Sequence, residues 1–237
     1  MTEKAKSLLH LNEDIGGWIT IDGTDVDYPI LFDHKCPEDV NPEEWVTNSY
    51  YLDKGLDGEY DRAGSLFMDY RNVFGYDEES QSDNIVIYGH NMANDTMFGS
   101  LRKYRQDYTF YDENPVIWLS SNYTDYQYVI FGFMITSGNW YTDFRYWDME
   151  DFATEDDFNY YVDTVKQNSL VDTGVDVQYG DKLLTLSTCY ADADNSRFIV
   201  VARRLREHET SMDNIDRTEA YIEEQKQKTE TATTEER

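Results

Sequence analysis

Histidine and cysteine are scarce in this chain of 237 residues, which has four His and two Cys, Cys36 and Cys189. Two cysteines allow at most one disulfide, and a chain long enough to bury its own core needs none. Proline is rare, with four residues, and no Pro-rich or Gly/Ser-rich stretch divides the chain, so one domain with terminal appendages is the expected organisation. No apolar run approaches the roughly 20 residues that span a bilayer, and Met1-Thr2-Glu3-Lys4 lacks the apolar stretch of a signal peptide. Basic residues are few, 20 Lys and Arg against 48 Asp and Glu, giving a formal net charge of -28. Phosphate binding needs clustered Lys and Arg, so nucleic acid is not an expected partner. No His-x-x-x-His or Cys-x-x-Cys pair offers a zinc site, no Gly-rich strand-to-helix turn offers a phosphate cradle, and Gly-x-Ser-x-Gly is missing.

What the chain does have is apolar and aromatic material for a core, 40% and 15% of its residues, including 20 Tyr. Short β-rich runs bounded by Gly, Pro, Asp and Asn lie at Trp18-Ile21, Tyr28-Phe32, Ser65-Met68, Ile85-Tyr88, Val116-Leu119, Tyr126-Ile135, Leu183-Leu186 and Phe198-Ala202. So many short strands predict a mainly β fold, a barrel or sandwich. Ala5, Leu8 and Leu9 suggest a short amphipathic helix within Glu3 to Asn12 on the outside of the domain. Met97, Leu101 and Tyr104 predict a helical insertion, and Phe152, Phe158, Tyr161, Val162 and Val165 predict a longer one, about Met149 to Gln167, lying against the sheet. Beyond Leu205 the chain is almost wholly polar, with few large apolar residues, Ile215, Tyr221 and Ile222 among them, so this tail is expected to lie outside the core.

Three residues stand where chemistry is feasible. Cys189 closes the apolar run Leu183-Leu184-Thr185-Leu186-Ser187-Thr188, at a strand end that can present a thiol to a cleft on a rigid support. His90 follows the strand Ile85-Tyr88 through Gly89, in a turn expected to need backbone freedom. An imidazole there can accept a thiol proton and later protonate a leaving amine. Arg197 opens the strand Phe198-Val201 across a short loop from Cys189, where a guanidinium can hold an oxyanion. Each has a blander reading: a buried structural thiol, a hydrogen-bonded structural His, and an ion pair of Arg197 with Asp192 or Asp194. Cys36, in the loop segment His34-Lys35-Cys36-Pro37, lacks the strand-end setting and is read as incidental.

The combination resembles a class B sortase: Thr185-Leu186-Ser187-Thr188-Cys189, an Arg opening the next apolar strand, and Tyr88-Gly89-His90-Asn91-Met92 upstream. Asp14-Ile15-Gly16-Gly17-Trp18-Ile19, Asp27-Tyr28-Pro29-Ile30, Tyr50-Tyr51-Leu52, Gly64-Ser65-Leu66-Phe67-Met68-Asp69 and Thr96-Met97-Phe98-Gly99-Ser100-Leu101 support the likeness, which runs from about Lys6 to Leu205. It implies an eight-stranded sortase-type β-barrel with an N-terminal helix and a long helix inserted before the Cys-bearing strand. The chain then divides into residues 1–16, an N-terminal extension, 17–205, the catalytic barrel, and 206–237, the acidic tail.

The resemblance further implies a cysteine transpeptidase that cleaves a sorting motif after Thr, forms a thioacyl enzyme and passes the acyl group to an amine of peptidoglycan or a pilin Lys, with no metal or cofactor. Cys189 would attack, His90 would act as acid and base, and Arg197 would bind the oxyanion or the substrate backbone. Ser187, Thr188 and Tyr190 flank the nucleophile as substrate-binding candidates. Asn48 and Leu52 match positions near the groove for the sorting signal, while Thr136, Trp140 and Tyr141 fall in the loop expected to form its other wall. Ala191 stands where some members carry Asp, so the likeness does not extend to an Asp-assisted triad there. The family sits outside the cytoplasmic membrane of Gram-positive bacteria on an N-terminal anchor, so the residues here are expected to be the soluble part of an anchored enzyme. Two rival functions use the same residues: a thiol hydrolase, in which water takes the acyl group, and an inactive barrel that only binds peptides.

Overall fold

The chain builds the middle of its sheet from strands that are apolar on both faces. On β8 (Ser196–Arg204), Phe198, Val200 and Ala202 enter one buried cluster while Ile199 and Val201 enter another. A strand reads as a continuous apolar run when both faces are covered. In the computed structural model, which describes residues 2–33, 41, 48–190 and 195–235, the strands are β1 (Ile15–Ile21), β2 (Asp27–Phe32), β3 (Leu66–Met68), β4 (Asn84–Tyr88), β5 (Val116–Ser121), β6 (Asp125–Ser137), β7 (Leu183–Cys189) and β8. They close into a barrel in the order β1-β2-β3-β4-β7-β8-β6-β5, which leaves no open sheet edge. All eight expected strands are present, most of them a few residues longer than their apolar runs.

The barrel interior holds residues such as Ile19, Ile30, Ile85, Ile87, Leu119, Phe133, Leu184, Leu186 and Phe198. The second cluster lies outside, where α4 (Glu155–Asn168) sets Phe158, Tyr161, Val162 and Val165 against residues that include Phe131, Ile199 and Val201. Spacing of three, four and seven residues puts those four side chains on one helical face. The sheet makes room at Gly132, where an added Cβ would lie 2.7 Å from Val165 Cγ1.

The helix starts six residues later than the apolar spacing alone suggests. The Thr154 side chain accepts a hydrogen bond from the backbone N–H of Asp157, and Glu155, Asp156 and Asp157 fill the first turn, where acidic side chains favour the helix N-terminus. The preceding Phe152 is buried from a non-helical segment whose backbone N–H donates to Asp83.

The other helices are α1 (Glu3–Leu9), capped by Thr2, α2 (Lys103–Gln106), α3 (Thr109–Glu113) and α5 (Glu219–Glu235). The helix expected to contain Met97 does not, because Met97 has φ of 53°, outside the right-handed helical region. Instead a single 3-10 turn at Gly99–Arg102 leads into α2.

The segment after Leu205 departs from the expectation that it stays out of the core. Ile215 is buried in the outer cluster, and Glu209 is buried against Arg203 of β8, with Nη2 to Oε1 at 2.5 Å and Nη1 to Oε2 at 2.6 Å. Arg206 joins Asp176, Asp181 and Asp216 at 3.0, 2.8 and 2.6 Å. His208, Glu209 and Asp216 come together here, but Arg203 and Arg206 already pair with the two carboxylates, so the cluster is an ion-pair network. No helix among the described residues is long and apolar enough to cross a membrane.

Candidate active site

Strand register brings the candidate residues together. β4 and β7 run parallel and pair from Asn84 opposite Leu183 to Tyr88 opposite Ser187, so the chain leaves both strands at the same end of the barrel, towards His90 and Cys189. β7 and β8 run antiparallel, with Cys189 directly opposite Arg197. Directly opposed residues project from the same face of a sheet. Alternation sets which face: Leu184 and Leu186 point into the barrel, so Ser187 and Cys189 point outward, as Arg197 does beside inward Phe198.

The outward positions of β7 are supported from the α4 side. The Tyr161 hydroxyl lies 2.6 Å from Thr185 Oγ1, and the Tyr146 hydroxyl lies 2.7 Å from Ser187 Oγ. Burial pushes the Tyr146 phenol up to about 12, so it stays protonated through neutral pH and always offers a hydrogen.

The His90 turn is laced to the Cys strand by three hydrogen bonds, and a fourth steadies the Asn91 side chain that makes one of them. Gly89 N donates to Ser187 O at 3.1 Å, and Thr188 Oγ1 donates to Gly89 O at 2.7 Å. Asn91 Nδ2 donates to Cys189 O at 2.9 Å, and Arg102 Nη2 donates to Asn91 Oδ1 at 3.3 Å. Gly89 owes its place to space rather than to backbone freedom: its φ is not positive, but an added Cβ would lie 2.3 Å from Leu66 Cδ2 and 2.8 Å from Phe98 Cδ2.

Cys189 is a free, exposed thiol, and it shares a cleft of about 350 Å³ with His90 and Arg197. Among the described residues no hydrogen bond joins thiol to imidazole. His90 Nε2 instead lies 2.7 Å from the Leu52 carbonyl oxygen. A carbonyl can only accept, so Nε2 carries the hydrogen, and the Leu52 backbone fixes the ring. Arg197 Nη1 donates to Ser196 O at 3.1 Å, and Gly138 passes close beneath it, its hypothetical Cβ only 2.9 Å from Arg197 Cζ.

Asn48, Leu52, Trp140, Ser187 and Thr188 also line the cleft, as their sequence positions suggest. Ser187 and Thr188 are buried with their hydroxyls engaged, whereas Trp140 stands 63% exposed on the rim with the Arg145 guanidinium 5.1 Å from its ring. Three candidates do not line it. Thr136 sits within β6, not in a loop, opposite Arg197, and Tyr141 projects into solvent at 91% exposure. Tyr190 packs against the barrel core beneath the guanidinium of Arg105, 4.9 Å away. Cys36 and Asp192 and Asp194 lie outside the described residues.

Sequence reasoning passed over Phe67, Tyr70, Arg71, Tyr88, Trp147 and Asp148 as cleft residues. Only the motifs around Asp69 and Tyr88 hinted at some of them, since their meeting depends on chain folding over some 80 residues.

A closed barrel with a thiol, an imidazole and a guanidinium in one open cleft has the make-up of a barrel-type cysteine enzyme. A family model described as the sortase domain matches residues 19–205. Sortase B of Listeria monocytogenes is 38% identical over 192 residues, 81% of this chain and 69% of that protein. Among solved structures, a Staphylococcus aureus sortase B–substrate complex aligns with a TM-score of 0.70 at 31% identity, covering 86% of this chain and 85% of the other. A sortase B complexed with triglycine aligns at 0.69 and 31%, covering 85% of each. The chain belongs to the sortase family, in its class B, and is a cysteine transpeptidase of that kind, a Gram-positive cell-surface enzyme.

Proposed function

We propose that Cys189 is the nucleophile, His90 its acid and base, and Arg197 the group that holds the developing negative charge. The observation that carries this reading is the register: Cys189 opposite Arg197 on one outward face, with His90 leaving the parallel neighbouring strand into the same cleft. The thiolate attacks the carbonyl carbon of a Thr in the sorting motif, and the carbonyl oxygen becomes an oxyanion beside the guanidinium. The C–N bond breaks as the imidazole protonates the leaving amine. An incoming amine then gives its proton to the imidazole and displaces the thiolate, leaving a new amide.

Ser187 and Thr188, with hydroxyls already committed, orient the nucleophile strand, while Asn48, Leu52 and Trp140 face the peptide. The acceptor is a primary amine of peptidoglycan or a pilin Lys, in keeping with the triglycine complex of a related sortase B. Residues 17–205 are the catalytic unit, acting on the extracytoplasmic side of the membrane.

The test is mass spectrometry of peptides with Asn-Pro-x-Thr and Ser-Pro-x-Thr cores incubated with triglycine. Cleavage after Thr with a triglycine adduct, lost in Cys189→Ala, is expected. Free acid alone would instead assign a hydrolase, and no cleavage of any peptide would leave a binding barrel.

A further inference from the structure

Behind the cleft residues Asn48, Arg71 and Tyr88 one buried carboxylate gathers five donors. Asp69 follows β3 and is fully buried. Its Oδ1 accepts from the Arg71 backbone N–H at 3.0 Å and from Arg71 Nε at 2.9 Å. Its Oδ2 accepts from Arg71 Nη2 at 2.9 Å, from Asn48 Nδ2 at 2.6 Å and from the Tyr88 hydroxyl at 2.9 Å. The guanidinium fork matches the carboxylate bidentately, one nitrogen to each oxygen.

Arg71 has a second set of partners on the opposite wall. Its Nη1 donates to Asp148 Oδ1 at 2.9 Å, Nη2 also donates to the Trp147 carbonyl, and Glu150 lies 3.7 Å away. Arg145 also pairs with Asp148, at 3.4 Å. Four of the five guanidinium hydrogens are therefore spent on hydrogen bonds within the protein, although Arg71 lines the cleft. The pair ties the segment bearing Asn48 and the strand bearing Tyr88 to the wall segment of Trp147 and Asp148.

We propose that Asp69 and Arg71 form a clasp that sets the width of the peptide groove, with Arg71 a positioning residue for peptide binding and not for bond cleavage. The proposal rests on the transpeptidase reading for the identity of the peptide. Neither side chain reaches the reacting atoms in this arrangement. The clasp acts through Asn48 and Tyr88 on one side and Trp147 and Asp148 on the other. Lysine cannot replace the arginine here, because one ammonium cannot span the Asp69 fork and both opposite-wall acceptors.

The test uses Arg71→Lys, which keeps a cation beside buried Asp69, and Asp148→Ala, which removes the Asp148 acceptor from the cross-cleft arm and leaves the buried pair intact. Peptide affinity is measured in a Cys189→Ala background, with fluorescent Asn-Pro-x-Thr and Ser-Pro-x-Thr peptides, so the readout does not depend on chemistry. KM, kcat and the rate of Cys189 alkylation by iodoacetamide are measured with the thiol present. Each substitution is expected to weaken peptide binding and raise KM roughly tenfold, the scale of a small misplacement of binding groups. kcat and the alkylation rate should hold within about twofold, and the double variant should be no worse than the weaker single, since both cut one clasp.

Unchanged peptide affinity in both variants, a fall in kcat at constant KM, or losses that multiply in the double variant would each overturn the clasp. So would failure of the Cys189→Ala protein to bind any peptide. A wild-type enzyme that binds peptide without cleaving it would sink the transpeptidase reading alone, and the affinities would still decide the clasp.

Discussion

Replacing Glu209 with Gln should destabilise the protein by about 3 kcal/mol, although the residue lies far along the chain from Cys189 and in a stretch that reads as a polar tail. The Arg203 side chain has no solvent exposure, and neither has that of Glu209. Removing one partner of a buried pair leaves a desolvated charge and costs about 3–5 kcal/mol. The lower end applies here because Arg203 keeps the carbonyls of Asp176 and Arg204 and has Asp181 at 3.9 Å. Against a typical domain stability of about 5–15 kcal/mol, the loss is plain in a urea unfolding curve followed by fluorescence of the five Trp.

The pH dependence gives a second arm. Burial alone would raise the Glu209 carboxyl, but hydrogen bonds from the Arg203 side chain and from the backbone N–H groups of Arg206 and Asp216 outweigh it and hold the carboxyl below its ordinary 4.5. A depressed carboxyl adds stability that is fully present above the ordinary value and is lost as pH falls through the folded value. The gap between wild type and Glu209→Gln should therefore be constant near neutrality and close below pH 4.5. Adding Arg203→Met removes the stranded cation and should recover at least about 1 kcal/mol. A Glu209→Gln protein within about 0.5 kcal/mol of wild type at neutral pH would refute the reasoning, since ordinary surface substitutions fall in that range.

Two glycines near the site separate packing from chemistry. Gly89→Ala forces a methyl against Leu66 and Phe98, so it should cost about 1–3 kcal/mol in urea unfolding and lower kcat by displacing the adjacent His90; unaltered stability would contradict the close approach. Gly138→Ala meets mainly the movable guanidinium end of Arg197, so stability should stay within about 0.5 kcal/mol. Its kcat should nevertheless fall by about tenfold or more, with the rate of Cys189 alkylation unchanged, because the proposed oxyanion donor Arg197 is re-aimed.

The barrel is legible because the strands are short β-rich runs bounded by turn residues, and on β6, β7 and β8 two covered faces make the apolar runs long enough to see. The Cys, His and Arg positions were legible because chemistry-bearing residues at strand ends leave a local mark. Residues whose role comes from distant partners left none: nothing around Glu209 announces a buried Arg203, and Arg71 looks like any basic residue in an acidic chain. The extent of α4 could have been read from Thr154 followed by three acids, had the cap been weighed above the spacing of apolar residues. The need for Gly89 comes from Leu66 and Phe98, which crowd it in space and leave no trace beside it in the sequence.

The parallel pairing of β4 with β7 divides the molecule into parts that can change at different rates. Thiol and imidazole are hung from neighbouring strands whose ladder ends beside them, so their spacing is fixed by backbone geometry common to the whole barrel. The proposed peptide groove is furnished largely by connecting segments, among them those of Asn48, Leu52, Trp140, Trp147 and Asp148. A lineage can thus redraw which signal is accepted by altering those segments, while the reacting groups keep their places without compensating change.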